Sequence, residues 1–209
     1  MATLATLACV LGGYLIGSIS FAVVVSRLFG LADPRTFGSK NPGATNVLRT
    51  GNRAAALITL LADALKGTLA VWLAHLFGAP YGVDESGLAL TGLAAFVGHL
   101  YPVYFGFHGG KGVATFFGVL AIVNPWLALI CGATWLLIAY FLRYSSLASL
   151  ASAVVAVFGQ AFGWGFDVVL ICITAMAALL VYRHRQNIVN LRTGKERRIG
   201  ERAASAAKH

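Results

Sequence analysis

The chain consists largely of long apolar runs separated by short polar loops. This pattern predicts seven helical segments: residues 4–25, 54–77, 88–105, 113–123, 126–142, 147–162 and 166–182. A helix that crosses about 30 Å of hydrocarbon needs roughly 20 apolar residues. Several segments are shorter, which indicates a thinned or tilted bundle. Asn124-Pro125 divides an overlong run, since proline removes a backbone donor and clashes with the preceding turn.

The composition agrees with a membrane protein. Of the 209 residues, 58% are hydrophobic and only 11% are charged, whereas a soluble domain carries about 25% charged residues. So few charges cannot cover a soluble globule, and disordered chains are less hydrophobic than this. We therefore predict an all-α, polytopic helix bundle, formed by a single integral-membrane domain over residues 1–200 and followed by a mobile polar tail at 201–209.

The basic residues predict the orientation. Every Lys and Arg except Lys66 falls in the loops after the first, third and fifth segments or in the tail. Because cytoplasmic loops are enriched in Lys and Arg, seven transmembrane helices with the N-terminus outside and the C-terminus cytoplasmic fit best. Five spans keep the same ends but leave Arg143 outside. The net charge of +9 does not indicate nucleic acid, because these residues sit in short loops between apolar segments.

Three polar stretches on the predicted cytoplasmic side are candidates for binding an anion. The first, residues 33–49, alternates cations with small hydrogen-bonding residues. Its small hydrogen-bonding residues are Gly38, Ser39, Asn41, Gly43, Thr45 and Asn46, and Arg49 ends it. Backbone amides at glycines, hydroxyls and a bidentate guanidinium all suit phosphate. An ordinary solvated positive-inside loop explains the pattern equally well.

The second stretch, residues 106–115, frames Lys111 with glycines just before the fourth segment. A glycine-rich turn that opens a helix presents free N–H groups and the positive end of the helix dipole, so Gly110 and Lys111 are expected to bind phosphate. A flexible hinge is the less favoured interpretation. The stretch is not a nucleotide-binding P-loop. That motif needs Gly where Phe105 stands and Ser or Thr where Gly112 stands.

The third stretch begins at His184. Asn187 follows three residues later, so both side chains can share one helix face directed at the bundle. Taken alone, a basic juxtamembrane helix on anionic lipid is the better interpretation.

Within the second segment, Asp63 and Lys66 are expected to form an ion pair. A structural tether is favoured over an ion pathway as the role of this pair. His99 near Pro102 is interpreted as a kink residue.

The chain lacks common acyl-transfer nucleophile motifs. No Gly-x-Ser-x-Gly elbow is present, and none of His75, His99, His108 and His184 is followed by Asp five positions on. Chemistry would therefore depend on positioning and charge stabilisation. Two phosphorylated substrates carry roughly −3 to −4 in total, which Arg49, Lys111 and His184 together with backbone amides would offset. The three cysteines lie in separate apolar runs without metal-ligand spacing, so no metal is predicted.

Seven motifs together resemble one known family. They are GSIS (17–20), GSKNPGATNVLR (38–49), DALKG (63–67), GHLYPV (98–103), GGKGVAT (109–115), RYSSLAS (143–149) and HRQNI (184–188). Their order is that of the bacterial acyl-phosphate:glycerol-3-phosphate acyltransferases, and the resemblance extends to Glu196. Many family members carry other residues where Ser20, His108 and Asn190 stand, and these departures make His108 and Asn190 poor site candidates.

The resemblance implies transfer of a fatty acyl group from acyl phosphate to glycerol 3-phosphate, which gives lysophosphatidic acid and phosphate in the first step of membrane phospholipid synthesis. It implies direct attack by a glycerol hydroxyl, and the missing dyad suggests a substrate phosphate as the proton acceptor. The expected location is the bacterial inner membrane, with the site facing the cytoplasm and no cofactor. A soluble acyl-phosphate-producing enzyme is a further candidate partner.

The resemblance also assigns site residues. Arg49, Lys111 and His184 are expected to be catalytic. The expected substrate-binding residues are Ser39, Thr45, Asn46, Gly110, Ser146 and Asn187. The alternative is a small transporter or channel for a phosphorylated anion, which the intramembrane charges Asp63 and Lys66 and the broken helices would support.

Overall fold

The computed structural model of the protein describes residues 2–201, and every regular element in that range is helical. The α-helices are α1 (Ala2–Gly17), α2 (Phe21–Leu28), α3 (Ala44–Val47), α4 (Arg53–Gly78), α5 (Glu85–Leu100), α6 (Val113–Val123), α7 (Pro125–Phe141), α8 (Ser145–Gly163), α9 (Val168–Arg183) and α10 (Arg185–Arg192). Short 3-10 turns occupy Leu48–Thr50, Ala79–Tyr81 and Val103–Phe105. Apart from Glu201, the tail predicted at 201–209 lies outside the described residues.

Each predicted apolar segment contains a helix. Polar residues interrupt the helices at two places. The helix of the first segment is interrupted at residues 18–20, where the carbonyl of Ile19 accepts a hydrogen bond from Lys66 Nζ at 2.7 Å. The break at Asn124-Pro125 is confirmed. The Asn124 side chain caps α7 by accepting a hydrogen bond from the Leu127 amide at 3.1 Å, and Pro125 occupies the first turn.

The lengths of the helices identify an integral membrane bundle. Four helical runs are long and apolar enough to span: Ala2–Leu28, Arg53–Tyr81, Glu85–Phe105 and Ser145–Gly163. α9 and α10, between which the chain turns by 58°, make a fifth only if the two are counted together as one span. α6 and α7 are shorter apolar helices of 11 and 17 residues. The predicted count of seven spans requires both of these to cross as well.

The interior and exterior of the bundle are both apolar. Phe96, Phe116 and Met176, from α5, α6 and α9, are fully buried in one cluster, and the first two rings meet edge to face at 6.3 Å. Large side chains at the periphery, such as Leu129 and Phe162, are exposed. An apolar surface around a packed interior is what a lipid environment requires.

Glycines allow the helices to approach one another closely. α1 packs along α5, and α4 packs along α6. A Cβ atom at Gly17 would collide with the backbone of Ala95, and one at Gly118 would collide with that of Ala64. In lipid, where apolar side chains gain nothing by leaving the solvent, such close contacts between backbones supply much of the attraction between helices.

A buried ion pair ties these helices together. Asp63 Oδ1 lies 2.9 Å from Lys66 Nζ, with side-chain exposures of 4% and 2%. The backbone carbonyl of Asp63 also accepts a hydrogen bond from Thr115 Oγ1 at 2.9 Å, which joins α4 to α6. A single charge left unpaired at this depth would cost several kcal/mol. These contacts agree with a structural tether.

We expect Gly17→Val to lower the free energy of unfolding by about 1–3 kcal/mol or more, because the added side chain overfills the α1–α5 contact. Thermal unfolding in detergent measures this effect as a lower melting temperature. Gly12→Val is the matched control, since it makes the same change on the same helix where nothing lies within 4 Å of the added Cβ. Equal melting temperatures for the two variants would contradict close packing at Gly17.

Candidate active site

A cavity of about 890 Å³ opens where the three polar stretches meet. Its walls come from the loop before α4, the glycine-rich turn before α6, the start of α8, and the chain from the end of α9 onward. The predicted site residues that line it are Ser39, Thr45, Asn46, Arg49, Lys111, Ser146, His184 and Asn187. Segments separated by more than 100 residues in the sequence thus converge on one space.

Gly110, which the sequence predicts to bind substrate, is buried and is not among the residues that line the cavity. Its N–H donates to the His99 carbonyl at 3.1 Å, and its own carbonyl accepts from Arg183 Nε at 3.0 Å. A Cβ here would collide with the His99 ring and would lie 2.8 Å from the Pro42 carbonyl oxygen. Its backbone groups are therefore engaged in holding the turn in place.

Asn46 shapes the first loop from within. Its buried Nδ2 donates to the carbonyls of Pro34 and Phe37 at 2.7 and 3.2 Å. Its Oδ1 accepts from the Ser39 amide at 3.1 Å and from Arg49 Nη1 at 3.3 Å. Because both ends of this amide are engaged, Asn46 positions Ser39 and Arg49 rather than offering free groups of its own.

Arg49 and Lys111 supply positive charge to the cavity. Burial is the main cause that lowers the pKa of Arg49 from its ordinary value, but arginine stays protonated in proteins. Burial also lowers the pKa of Lys111 to about 8; the Glu196 carboxylate opposes this shift, and Arg49 and Arg183 add to it. Lys111 is therefore largely charged at pH 7 and loses its proton as the pH rises through about 8.

The glycine-rich turn leads into the first turn of α6. Gly112 caps this helix at φ +85°, a left-handed conformation that favours glycine. Gly112, Val113 and Ala114 line the cavity. The N–H groups of a first helical turn have no partner within the helix and carry the positive end of its dipole. This wall can therefore bind an anion, as the sequence suggested.

His184 occupies the turn between α9 and α10 with its ring buried. Nδ1 lies 2.8 Å from the Leu180 carbonyl, so it carries the proton and donates it, which leaves Nε2 as an acceptor. Burial, followed by the charge on Lys111, lowers the pKa of His184 to about 4. The ring is therefore neutral at pH 7 and is not the third cation counted from the sequence.

Arg183 supplies that third cation, and sequence reasoning missed it. Its Nη2 donates to the Gly109 carbonyl at 2.6 Å, and its guanidinium lies 5.8 Å from the centre of the Tyr101 ring. It lines the cavity beside Lys111. In the sequence it is one of several arginines at a membrane boundary, so nothing distinguishes it.

Glu196 is the second residue that the sequence did not single out. One of its carboxylate oxygens accepts hydrogen bonds from Ser146 Oγ at 2.6 Å and from Asn187 Nδ2 at 2.7 Å. The only available signal was an acidic residue within a basic tail. Ser146 and Asn187, both expected to bind substrate, are thus linked to each other through Glu196.

Part of the cavity lining is apolar. Leu60, Phe117 and Leu136 form it, together with Trp135, whose Nε1 donates to Ser149 Oγ at 3.1 Å. A cavity lined by both cations and apolar side chains suits a phosphate attached to an acyl chain. Within residues 2–201, no three His, Cys, Asp or Glu side chains are grouped to hold a metal ion.

Comparisons with known proteins agree with this chemistry. The family model described as "Glycerol-3-phosphate acyltransferase" matches residues 7–194. The glycerol-3-phosphate acyltransferase of Janthinobacterium sp. (strain Marseille) is 61% identical over 192 residues, covering 92% of this chain and 96% of the relative. That of Herminiimonas arsenicoxydans is 58% identical over 199 residues, covering 95% and 97%.

Two solved structures share the fold. The glycerol 3-phosphate form of PlsY (YgiH), an integral membrane glycerol 3-phosphate acyltransferase, superposes with a TM-score of 0.86 at 42% identity, covering 93% of this chain and 96% of PlsY. Its lysophosphatidic acid form gives a TM-score of 0.84 at 40% identity, covering 93% and 95%. The chain therefore belongs to the glycerol-3-phosphate acyltransferase family of integral membrane enzymes.

Proposed function

We propose that this glycerol-3-phosphate acyltransferase uses acyl phosphate as its donor and releases lysophosphatidic acid and phosphate, in the first step of phospholipid synthesis. The observation that carries the proposal is that three cations and several apolar side chains line the same cavity. Two phosphorylated reactants bring roughly −3 to −4 of charge. Arg49, Lys111, Arg183 and the first-turn amides of α6 offset that load.

The proposed reaction is a direct displacement. A glycerol hydroxyl oxygen attacks the acyl carbonyl carbon, the bond from that carbon to the phosphate oxygen breaks, and phosphate departs. Acyl phosphate is already activated, so no acyl-enzyme intermediate is needed. Positioning of the two reactants and stabilisation of charge on the carbonyl oxygen and the leaving phosphate supply the acceleration.

A substrate phosphate is the proton acceptor in this scheme. The second pKa of a phosphate monoester is about 6, whereas burial and the Lys111 charge lower the pKa of His184 to about 4. The phosphate is therefore the stronger base. We assign His184 Nε2 the role of accepting a hydrogen bond that orients the glycerol hydroxyl.

The remaining residues divide into ligands and positioning groups. Arg49 and Lys111 bind the two phosphates, and hydroxyls and an amide around the cavity add hydrogen bonds to the substrates. These additional groups are Ser39, Thr45, Ser146 and Asn187. Asn46 and Gly110 act indirectly, through the loops that they hold.

We also propose seven spans, the N-terminus outside, the C-terminus cytoplasmic, and a cavity that faces the cytoplasm of a bacterial cell at its inner membrane. The cavity opens among Arg49, Lys111 and Arg183, which belong to the basic loops and the tail, and cytoplasmic loops are basic. α6 and α7 would then cross a locally thinned or tilted region. Residues 1–200 would form one catalytic domain.

The alternative function as an anion transporter loses its main support. Asp63 and Lys66 are both buried and bound to each other at 2.9 Å, and Lys66 also donates to the Ile19 carbonyl. Charges engaged in this way support the helix frame and offer no open path for an ion.

Purified protein in detergent should release phosphate from acyl phosphate only when glycerol 3-phosphate is added. Parallel reactions with acyl-CoA and acyl-carrier-protein donors should give no lysophosphatidic acid, because their acyl group is a thioester with no phosphate bonded to the carbonyl carbon for the cations to bind. Product is measured by lipid extraction and mass spectrometry. Activity with a thioester donor and none with acyl phosphate would overturn the proposed donor.

Arg49→Ala should raise KM for glycerol 3-phosphate roughly tenfold to a hundredfold, because hydrogen bonds to a charged partner contribute about 1.5–3 kcal/mol. The matched control is Arg53→Ala, which removes the same charge four residues along at the start of α4, outside the cavity lining. Steady-state kinetics separates the two variants. Equal KM values for both would exclude Arg49 from phosphate binding.

The value of kcat/KM for glycerol 3-phosphate should fall as the pH rises above about 8. Burial lowers the pKa of Lys111 to about 8, so its cation is present below that pH and lost above it, and kcat/KM reports the free enzyme. Lys111→Arg keeps its charge and should move the decline to higher pH at reduced rate. An identical alkaline limb in this variant would assign the titration to another group.

A further inference from the structure

His99 lies in the last turn of α5 and lines the cavity, but the proposed reaction gives it no part. Its side chain is only 7% exposed. We propose that His99 determines substrate specificity: its Nε2 accepts a hydrogen bond from the secondary hydroxyl of glycerol 3-phosphate, while His184 Nε2 accepts one from the primary hydroxyl that attacks. The inference rests on the proposed function and deepens it, because it states how the acyl acceptor is recognised.

The contacts of Nδ1 determine where the proton on the His99 ring lies. Thr115 Oγ1 donates to the backbone carbonyl of Asp63 at 2.9 Å and lies 3.2 Å from His99 Nδ1. A hydroxyl has a single hydrogen to donate, so Thr115 Oγ1 accepts from Nδ1. The carboxylate oxygen Oδ1 of Asp63, at 3.6 Å from Nδ1, favours a proton on the same side. In a neutral ring this leaves Nε2 as an acceptor.

The ring is neutral because the charge beside it is already balanced. Asp63 Oδ1 lies 2.9 Å from Lys66 Nζ, and both side chains are almost completely buried. A second proton on His99 would leave an excess positive charge in this buried group, which is strongly unfavourable. The ring therefore keeps one proton, on Nδ1, and Nε2 keeps its lone pair.

The Nε2 edge of the ring lies against the glycine-rich turn, one residue before Lys111. A Cβ atom at Gly110 would collide with Nε2. The Gly110 N–H donates to the His99 carbonyl at 3.1 Å, and the Gly110 carbonyl accepts from Arg183 Nε at 3.0 Å. His184 follows Arg183 in the chain. Gly110 therefore connects His99 to the segment that carries His184, and both histidines line the cavity.

A hydroxyl is the donor that the reactants offer to Nε2. Within residues 2–201, the hydrogen bond of the His99 ring is made at Nδ1, and Nε2 has no protein partner. The phosphate groups and the acyl carbonyl of the reactants mainly accept hydrogen bonds near neutral pH. Glycerol 3-phosphate has two hydroxyls, and the proposed reaction uses the primary one at His184 Nε2. The secondary hydroxyl is therefore the group that His99 Nε2 binds.

The test uses the full chain in detergent, acyl phosphate as donor, and two acyl acceptors. One is glycerol 3-phosphate, and the other is 3-hydroxypropyl phosphate, which keeps the phosphate and the primary hydroxyl but lacks the secondary hydroxyl. The readouts are kcat/KM for each acceptor, their ratio, and the melting temperature. A role in supporting the helices would change both kcat/KM values together, whereas recognition of the secondary hydroxyl changes their ratio.

The variants are His99→Asn, His99→Gln and His75→Asn. The Asn amide reaches as far as Nδ1 of histidine, so it keeps a donor to Thr115 and removes Nε2. The longer Gln amide reaches the position of Nε2 and places an acceptor oxygen there. His75→Asn is the matched control, since it makes the same change at an exposed histidine in the last turn of α4, outside the lining of this cavity.

The wild-type enzyme should use 3-hydroxypropyl phosphate with a kcat/KM roughly tenfold to a hundredfold below that for glycerol 3-phosphate, because Nε2 is then left without a partner. His99→Asn should lower kcat/KM for glycerol 3-phosphate about tenfold and leave the value for 3-hydroxypropyl phosphate nearly unchanged, at a melting temperature close to that of the wild type. His99→Gln should keep most of the wild-type ratio. His75→Asn should match the wild type with both acceptors.

Several results would overturn the inference. Equal losses with both acceptors in His99→Asn, or failure of both His99 variants to fold, would show that the ring only supports the helices. A wild-type enzyme that uses the two acceptors equally well, or a ratio that His99→Asn leaves intact, would exclude Nε2 from hydroxyl recognition. A wild-type enzyme that makes no lysophosphatidic acid from acyl phosphate and glycerol 3-phosphate would instead contradict the proposed function.

Discussion

The buried pair of Asp63 and Lys66 is the interaction on which the cavity depends. Lys66 satisfies the open carbonyl of Ile19 between α1 and α2, while the backbone carbonyl of Asp63 binds Thr115 at the start of α6. Asp63 Oδ1 also lies 3.6 Å from the His99 ring at the end of α5. Charges buried in lipid must find partners within the protein. This pair therefore links α4 to α5, to α6 and to the junction between α1 and α2.

Much of this frame could be predicted from the sequence. The spacing of Asp63 and Lys66 on one helical turn predicts their pairing, and proline chemistry predicts the break at Asn124-Pro125. The basic loops predict which helix ends lie on the same side of the membrane. The convergence of Arg49 and Lys111 follows from these local rules, since both lie at the same end of the bundle. The number of spans is less determined, because α6 has only 11 residues.

The details inside the cavity depend on tertiary contacts that no local pattern contains. Gly110 looks like a phosphate ligand in sequence, yet its amide is used by His99. His184 looks like a cation, but burial beside Lys111 keeps it neutral. Glu196 stands nine residues beyond Asn187, and only the turn after α10 brings the two side chains together. Such assignments require knowledge of burial and of which groups are already paired.

The balance of charge in the cavity follows from what the reaction must both bind and release. In the proposed reaction two anions enter and two leave, so cations that are too strong would retain phosphate after the acyl group has moved. Burial brings the pKa of Lys111 to about 8, and the carboxylate of Glu196 offsets part of the surrounding positive charge. Phe117 and Leu136 give part of the cavity lining an apolar character, and free phosphate has no apolar part to hold against them. Moderate attraction therefore suits a transferase that must release phosphorylated products.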